Sequence, residues 1–221
     1  MLPSYWRIKI SKGIKCPYSD EILIGIDHEL LPNFKVGLSY QYNKKSNIVD
    51  GALLNPDTGK SFYRPDSGYW VSFTPTVPAL DIFPAQKITM YFAKADAPSM
   101  FLSLMNIPDA YRKYSGLELT VEKRMSNGWQ LGGSVDISKS WGNHQGDYVN
   151  IHGLAATGNN ANWFVNNDGR LNDDKPLVIK IFGVFNLPFG LMASFFYHYY
   201  DGSPWGENRD HHSAHGLGNG Q

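Results

Sequence analysis

"SGLELTVEKRMSNGWQLGGSVDISKSW", residues 115–141, changes character at nearly every step. On its first arm Leu117, Leu119 and Val121 share one parity, while Glu118, Thr120 and Glu122 share the other. Successive side chains of a β-strand point to opposite faces, so this arm is a strand with one apolar and one polar face. Asn127-Gly128 interrupts the alternation, and that pair accepts the positive φ angles of a tight hairpin turn. The return arm sets Trp129, Leu131, Val135, Ile137 and Trp141 on one face and Gln130, Ser134, Asp136, Ser138 and Ser140 on the other. The question is what covers the apolar face.

The same pattern recurs outward in both directions. "EILIGIDHEL" aligns Ile22, Ile24, Ile26 and Leu30, and after Leu31-Pro32-Asn33 the stretch "FKVGLSYQYN" aligns Phe34, Val36, Leu38, Tyr40 and Tyr42. A third hairpin joins "LVIKIFGVFNL" to "LMASFFYHYY" through Pro188-Phe189-Gly190. Between the hairpins lie long polar stretches, residues 44–110 and 142–175, rich in Asn, Asp and Gly. In the first, "NPDTGK" and "YRPDSGYW" are turn-like, and "KITMYF" (87–92) is the one short strand expected there. Helical periodicity is absent throughout. The breaks are thus short at one end of the hairpins and long at the other.

Composition limits the alternatives. Charges cancel at +0 over 221 residues, which carries no nucleic-acid footprint. The single cysteine, Cys16, rules out an internal disulfide framework. No window approaches the run of about 18 apolar residues that a transmembrane helix needs. The start, "MLPSYWRIKISKG", does not read as a signal peptide. A mean hydropathy of −0.34 suits a soluble protein. It suits a membrane β-barrel equally well, because alternation halves the apolar signal of each strand.

Two observations favour lipid on the apolar face. Soluble sandwiches have comparable loops at both ends, whereas outer-membrane barrels pair short periplasmic turns with long extracellular loops. Trp129 and Trp141 also share a face twelve residues apart, which a tilted strand converts into about 30 Å along the membrane normal. That matches the separation of the two aromatic girdles of such barrels, with Lys139 placed to extend its charge into the headgroups. The expected fold is all-β: an antiparallel transmembrane β-barrel segment of about seven or eight strands. Two alternatives remain: a small stand-alone outer-membrane adhesin or structural barrel, and a soluble carbohydrate-binding β-sandwich.

The stretch "YRKYSGLELTVEKRMSNGWQLGGSVDISKS" resembles the barrel of TonB-dependent outer-membrane receptors, above all the Oar-like subgroup with a carboxypeptidase-regulatory-like N-terminal domain. "GIKCPYSDEILIGIDHELLPNFKVGLSYQY", "NWFVNNDGRLNDDKPLVIKIFGVFNLPFG" and "YYDGSPW" carry the same likeness in the same order. The resemblance implies a barrel with a globular plug in its lumen, importing an extracellular solute across the outer membrane with energy from the TonB complex. On that comparison the chain corresponds to a later part of the barrel, without plug or partner-binding segment. Residues 1–205 are then partial barrel and 206–221 a disordered tail. The implied partners are outer-membrane lipid, plug, TonB complex and solute, with no nucleic acid.

No catalytic set, cofactor site or metal site is expected. The membrane-interface aromatics are Trp129, Trp141, Tyr199 and Trp205. Loop residues that could touch a solute are Tyr69, Trp70, Trp163, Asp168 and Arg170, with Tyr63 a further loop aromatic. "NNDGRLNDD" (166–174) carries Asp168, Asp173 and Asp174, oxygen donors of the kind calcium takes, but lacks EF-hand spacing. In it Asp168 and Arg170 are a candidate ion pair. His211, His212 and His215 fall in the tail, without helical context to make a metal site.

Overall fold

The computed structural model describes residues 9–55, 57–59, 61, 64–79, 84–97, 101–144, 161–163, 165 and 168–204. Strand β1 (Lys9–Ile10) precedes the first hairpin, β2 (Tyr18–Leu31) and β3 (Phe34–Ser46). Short strands follow: β4 (Val49–Leu54), β5 (Trp70–Phe73), β6 (Thr76–Val77), β7 (Gln86–Lys87), β8 (Met90–Ala93) and β9 (Phe101–Asn106). The central hairpin is β10 (Arg112–Ser126) with β11 (Trp129–Gly142). Then β12 (Gly169–Arg170) leads to the last hairpin, β13 (Leu177–Asn186) and β14 (Met192–Tyr200). No helix is long and apolar enough to cross a membrane.

The long strands form one antiparallel sheet in the order β14-β13-β11-β10-β3-β2, with β12 added beside β11. Each hairpin turn sits at the same end, and residues with positive φ make each one. Asn127 (φ 53°) and Gly128 (φ 83°) both lie in that region, as a type I′ turn demands, and Ser126 pairs directly with Trp129. Asn33 (φ 67°) closes the β2–β3 turn, and Phe189 (φ 65°) with Gly190 (φ 74°) closes the β13–β14 turn. At the opposite end run the long connections from β3 to β10 and from β11 to β13. The sheet is not closed: β2 and β14 are its two edges among the described residues.

Register locks the alternation into two continuous faces. One row runs Ile26, Leu38, Leu119, Val135, Ile179, Tyr199 across all six long strands. The next row runs Asp27, Gly37, Thr120, Ser134, Lys180, His198. A one-residue slip would exchange these faces, so the hydrophobic pattern specifies the pairing strongly. The apolar face is not covered by protein: Ile26 is 70% exposed, Ile24 67% and Ile137 60%. A sandwich would bury those residues under a second sheet, so the soluble-sandwich alternative does not hold.

The one buried hydrophobic cluster among the described residues lies at the long-loop end. Ile48, Ala52, Ile107 and Ala110 pack together with Met105 against them, in and around the small sheet β1-β9-β4. The described residues of 44–110 are therefore more ordered than the composition of that stretch suggests. "KITMYF" does not form one strand; it divides between β7 and β8, paired with β6 and β5. Strand β4 escapes the alternation test because five of its six residues are buried, so both faces need small or apolar side chains. The tail, 206–221, lies outside the described residues.

Candidate functional site

Two surfaces bring chemically useful side chains together: the polar face of the sheet and its rim at the long-loop end. On the polar face, Lys35 Nζ lies 3.6 Å from both Asp27 and Glu122, linking β2, β3 and β10. Gln41 Nε2 donates to Glu21 at 2.7 Å, and the Tyr114 hydroxyl lies 3.3 Å from Asp136. The Lys35 and Gln41 pairs are solvent-accessible, so they organise the face more than they stabilise it, whereas the Tyr114–Asp136 contact is part-buried. Two aromatic side chains reach over glycines here. Tyr114 covers Gly116 and Phe182 covers Gly132, each filling the space a Cβ would need.

At the rim the carboxylate-rich stretch folds back onto the sheet. Arg170 and Gly169 pair with Trp141 and Gly142 of β11. Asp174, 1% exposed, accepts the Ser140 amide at 2.7 Å and the Arg170 guanidinium. Arg112 of β10 binds Asp173, and the Tyr111 hydroxyl donates to Asp168 at 2.6 Å. Burial holds the Tyr111 phenol above its ordinary pKa, and the adjacent Asp168 carboxylate adds to the shift. Beside this clamp, His144 and Asp50 form a buried contact at 3.0 Å that ties the end of β11 to β4.

The clamp revises one expectation. Asp168 and Arg170 do not pair with each other, because Tyr111 and Asp174 are their respective partners. The carboxylates Asp168, Asp173 and Asp174 do not converge either; each serves a different protein donor. Among the described residues no three His, Cys, Asp or Glu side chains group to hold a metal.

Of the other loop candidates, Tyr69 is held by Asn55, whose amide donates to its hydroxyl at 2.7 Å, and Trp70 opens β5. The turn Ala161–Trp163 is tied to β8 through two hydrogen bonds between Asn162 and the Tyr91 backbone. Because β8 pairs with β5, the fold brings that turn to the sheet beginning at Trp70, away from Asp168 and Arg170. Tyr63, Trp205, His211, His212 and His215 lie outside the described residues. Neither Tyr111 nor His144 stands in a recognisable motif, and Asp174 shows in the sequence only as one of three neighbouring carboxylates.

The tryptophans on the apolar face each carry a lysine. Lys123 Nζ lies 3.9 Å above the Trp129 ring, and Lys139 Nζ lies 4.3 Å above that of Trp141. Trp129 also stacks on Phe185 at 6.5 Å, which stacks in turn on Phe195. Tyr199, near the end of β14, donates its hydroxyl to Asp201 at 2.8 Å. The apolar band is therefore bounded at both ends of β11 by an aromatic ring under an ammonium group. That is an arrangement suited to the two headgroup layers.

Comparison with known proteins points the same way. A family model described as "Outer membrane beta barrel domain" matches residues 6–200. The TonB-dependent transporter Oar of Myxococcus xanthus is similar at 22% identity over 194 residues, covering 84% of this chain. The chain spans 15% of that relative's length. No solved structure matches.

Proposed function

The chain belongs to the outer membrane beta barrel domain family, and from that premise we propose that it builds part of the wall of an active transporter. In this reading the apolar face meets outer-membrane lipid, and Trp129, Trp141 and Tyr199 anchor it at the interfaces. The short turns face the periplasm and the long connections face the outside. Residues 1–205 contribute the wall, and the polar face lines an aqueous path. The loops carrying Tyr69, Trp70, Trp163, Asp168 and Arg170 make first contact with an extracellular solute. The TonB energising complex acts in the whole protein, as the name of the Myxococcus xanthus relative suggests, and the plug implied by the sequence resemblance sits in the lumen.

The observation that carries this reading is the pair of lysine-capped tryptophans bracketing an uncovered apolar band, with a predominantly polar face behind it. A structural or adhesive barrel needs the band but has no use for an energised partner. Spent medium from wild-type, gene-deleted and energiser-deficient cells distinguishes the two. At least one small solute should be depleted by wild type and retained by both mutants. Identical depletion profiles with lost surface attachment would instead make the protein an adhesin.

A further inference from the structure

The polar face is not uniform. Its carboxylates all stand on β2, β10 and β11, and the strands β13 and β14 contribute none. In their place register stacks three cross-strand pairs facing the same side: Val178 with Tyr200, Lys180 with His198, and Phe182 with Phe196. The basic pair is thus bracketed by an apolar and aromatic pair on either side. Along β14 the rings touch in series, Phe196 to His198 at 6.2 Å and His198 to Tyr200 at 5.1 Å. Phe196 is 68% exposed and Tyr200 53%. Lys180 is exposed and makes no ion pair or hydrogen bond among the described residues, unlike Lys35, which two carboxylates already hold.

We propose that this strip binds an extended acidic peptide, with a carboxylate seated between Lys180 and His198 and apolar side chains on the flanking aromatic pairs. The charge argument is direct: β13 and β14 offer cationic and nitrogen donors and no carboxylate on this face, and the nearest one, Asp136 of β11, stands across from Val178 rather than Lys180. The spacing argument selects the ligand class. Successive pairs are two residues apart, about 6.7 Å along the strands. An extended peptide presents every second side chain on one face at that same repeat, so an apolar–x–acidic–x–apolar segment matches all three pairs together. Ordinary exposed lysines lack the flanking Val178–Tyr200 and Phe182–Phe196 pairs, and ordinary surface aromatics lack the free ammonium group. The strip faces the aqueous path assigned above, so the proposal rests on that reading and narrows the solute class.

The test uses the whole detergent-solubilised protein and a fluorescein-labelled Leu-Ser-Glu-Ser-Leu peptide, followed by anisotropy. The matched Leu-Ser-Lys-Ser-Leu peptide and trigalacturonate serve as competitors. The acidic peptide should bind at least tenfold more tightly than the basic one. Lys180→Glu should reverse that preference, Lys180→Gln should abolish it, and Phe196→Ala should weaken both peptides at least fivefold. Both positions are exposed, so the three variants retain the fold. Absence of peptide binding, equal binding of both peptides, or indifference to Lys180→Glu overturns the proposal. So does selective binding of trigalacturonate, which would assign the strip to acidic glycans. Peptide binding without import leaves the strip standing and removes the transport reading; import of some other solute without peptide binding does the reverse.

Discussion

Gly132 has no side chain because Phe182 occupies the space: a Cβ built there would lie 2.1 Å from the ring's Cζ. Gly132→Ala must push that ring off the sheet, with an expected loss of about 1–3 kcal/mol. Phe182→Ala vacates the space, so the double variant should recover much of the alanine penalty, and a double-mutant cycle of urea midpoints reads the coupling. Additive losses would mean the ring does not rest on the glycine. Tyr111 makes a different prediction at the same scale. Its phenol is held above the ordinary value of 10.0, first by burial and then by Asp168. A folded-state pKa raised above the unfolded one stabilises the fold at neutral pH and up to the ordinary value. That contribution is lost as pH rises through the raised value. The ultraviolet titration of wild type minus Tyr111→Phe isolates this phenol. It should titrate above 10.0, and ionisation below that would rule out the contact with Asp168.

Strands that separate lipid from water announce themselves, since each must alternate; β2, β3, β10, β11, β13 and β14 were all legible for that reason, and Asn127-Gly128 marked its turn. Other elements answer to different rules. β4 is buried on both faces and shows no period, and the buried cluster around Ile48 and Ile107 was hidden with it. The rim clamp was illegible for a second reason: Asp168, Asp173 and Asp174 sit close in sequence, but Tyr111, Arg112 and Ser140 reach them from distant elements. Composition offered only a carboxylate-rich loop, and pairing Asp168 with Arg170 was the nearest available guess. Asp174 is the member on which β12 depends, because it alone is buried and holds both a backbone amide and a guanidinium. Asp174→Ala leaves the Ser140 amide without its acceptor, an expected loss of about 1–3 kcal/mol. Hydrogen exchange at Ser140 and Leu171 should accelerate about tenfold or more, while amides of β2 and β3 keep their protection. Uniform acceleration across the sheet would show that the clamp stabilises the whole wall rather than one edge of the loop.

At the scale of the whole molecule, parity makes a claim that neighbouring residues can decide. Val135 and Ser134 are consecutive on β11, yet their rows belong to opposite faces. If the Val135 row faces hydrocarbon between the two lysine-capped tryptophans, an arginine there must be dragged toward the bilayer midplane. The expected penalty for Val135→Arg is about 2–4 kcal/mol, whereas lumen substitutions chiefly tune selectivity. Ser134→Arg, on the row that also carries Lys180 and His198, should cost well under that, since water reaches it and screens the repulsion from Lys180 directly across. The comparison cancels strand position, chain length and the unfolded reference, leaving only the choice of face. Urea titration of the full protein folded into phosphatidylcholine vesicles measures both variants side by side. A large loss at Val135 with a small one at Ser134 places lipid against the apolar face. Equal losses would mean that protein packs on both sides, and a larger loss at Ser134 would turn the wall inside out.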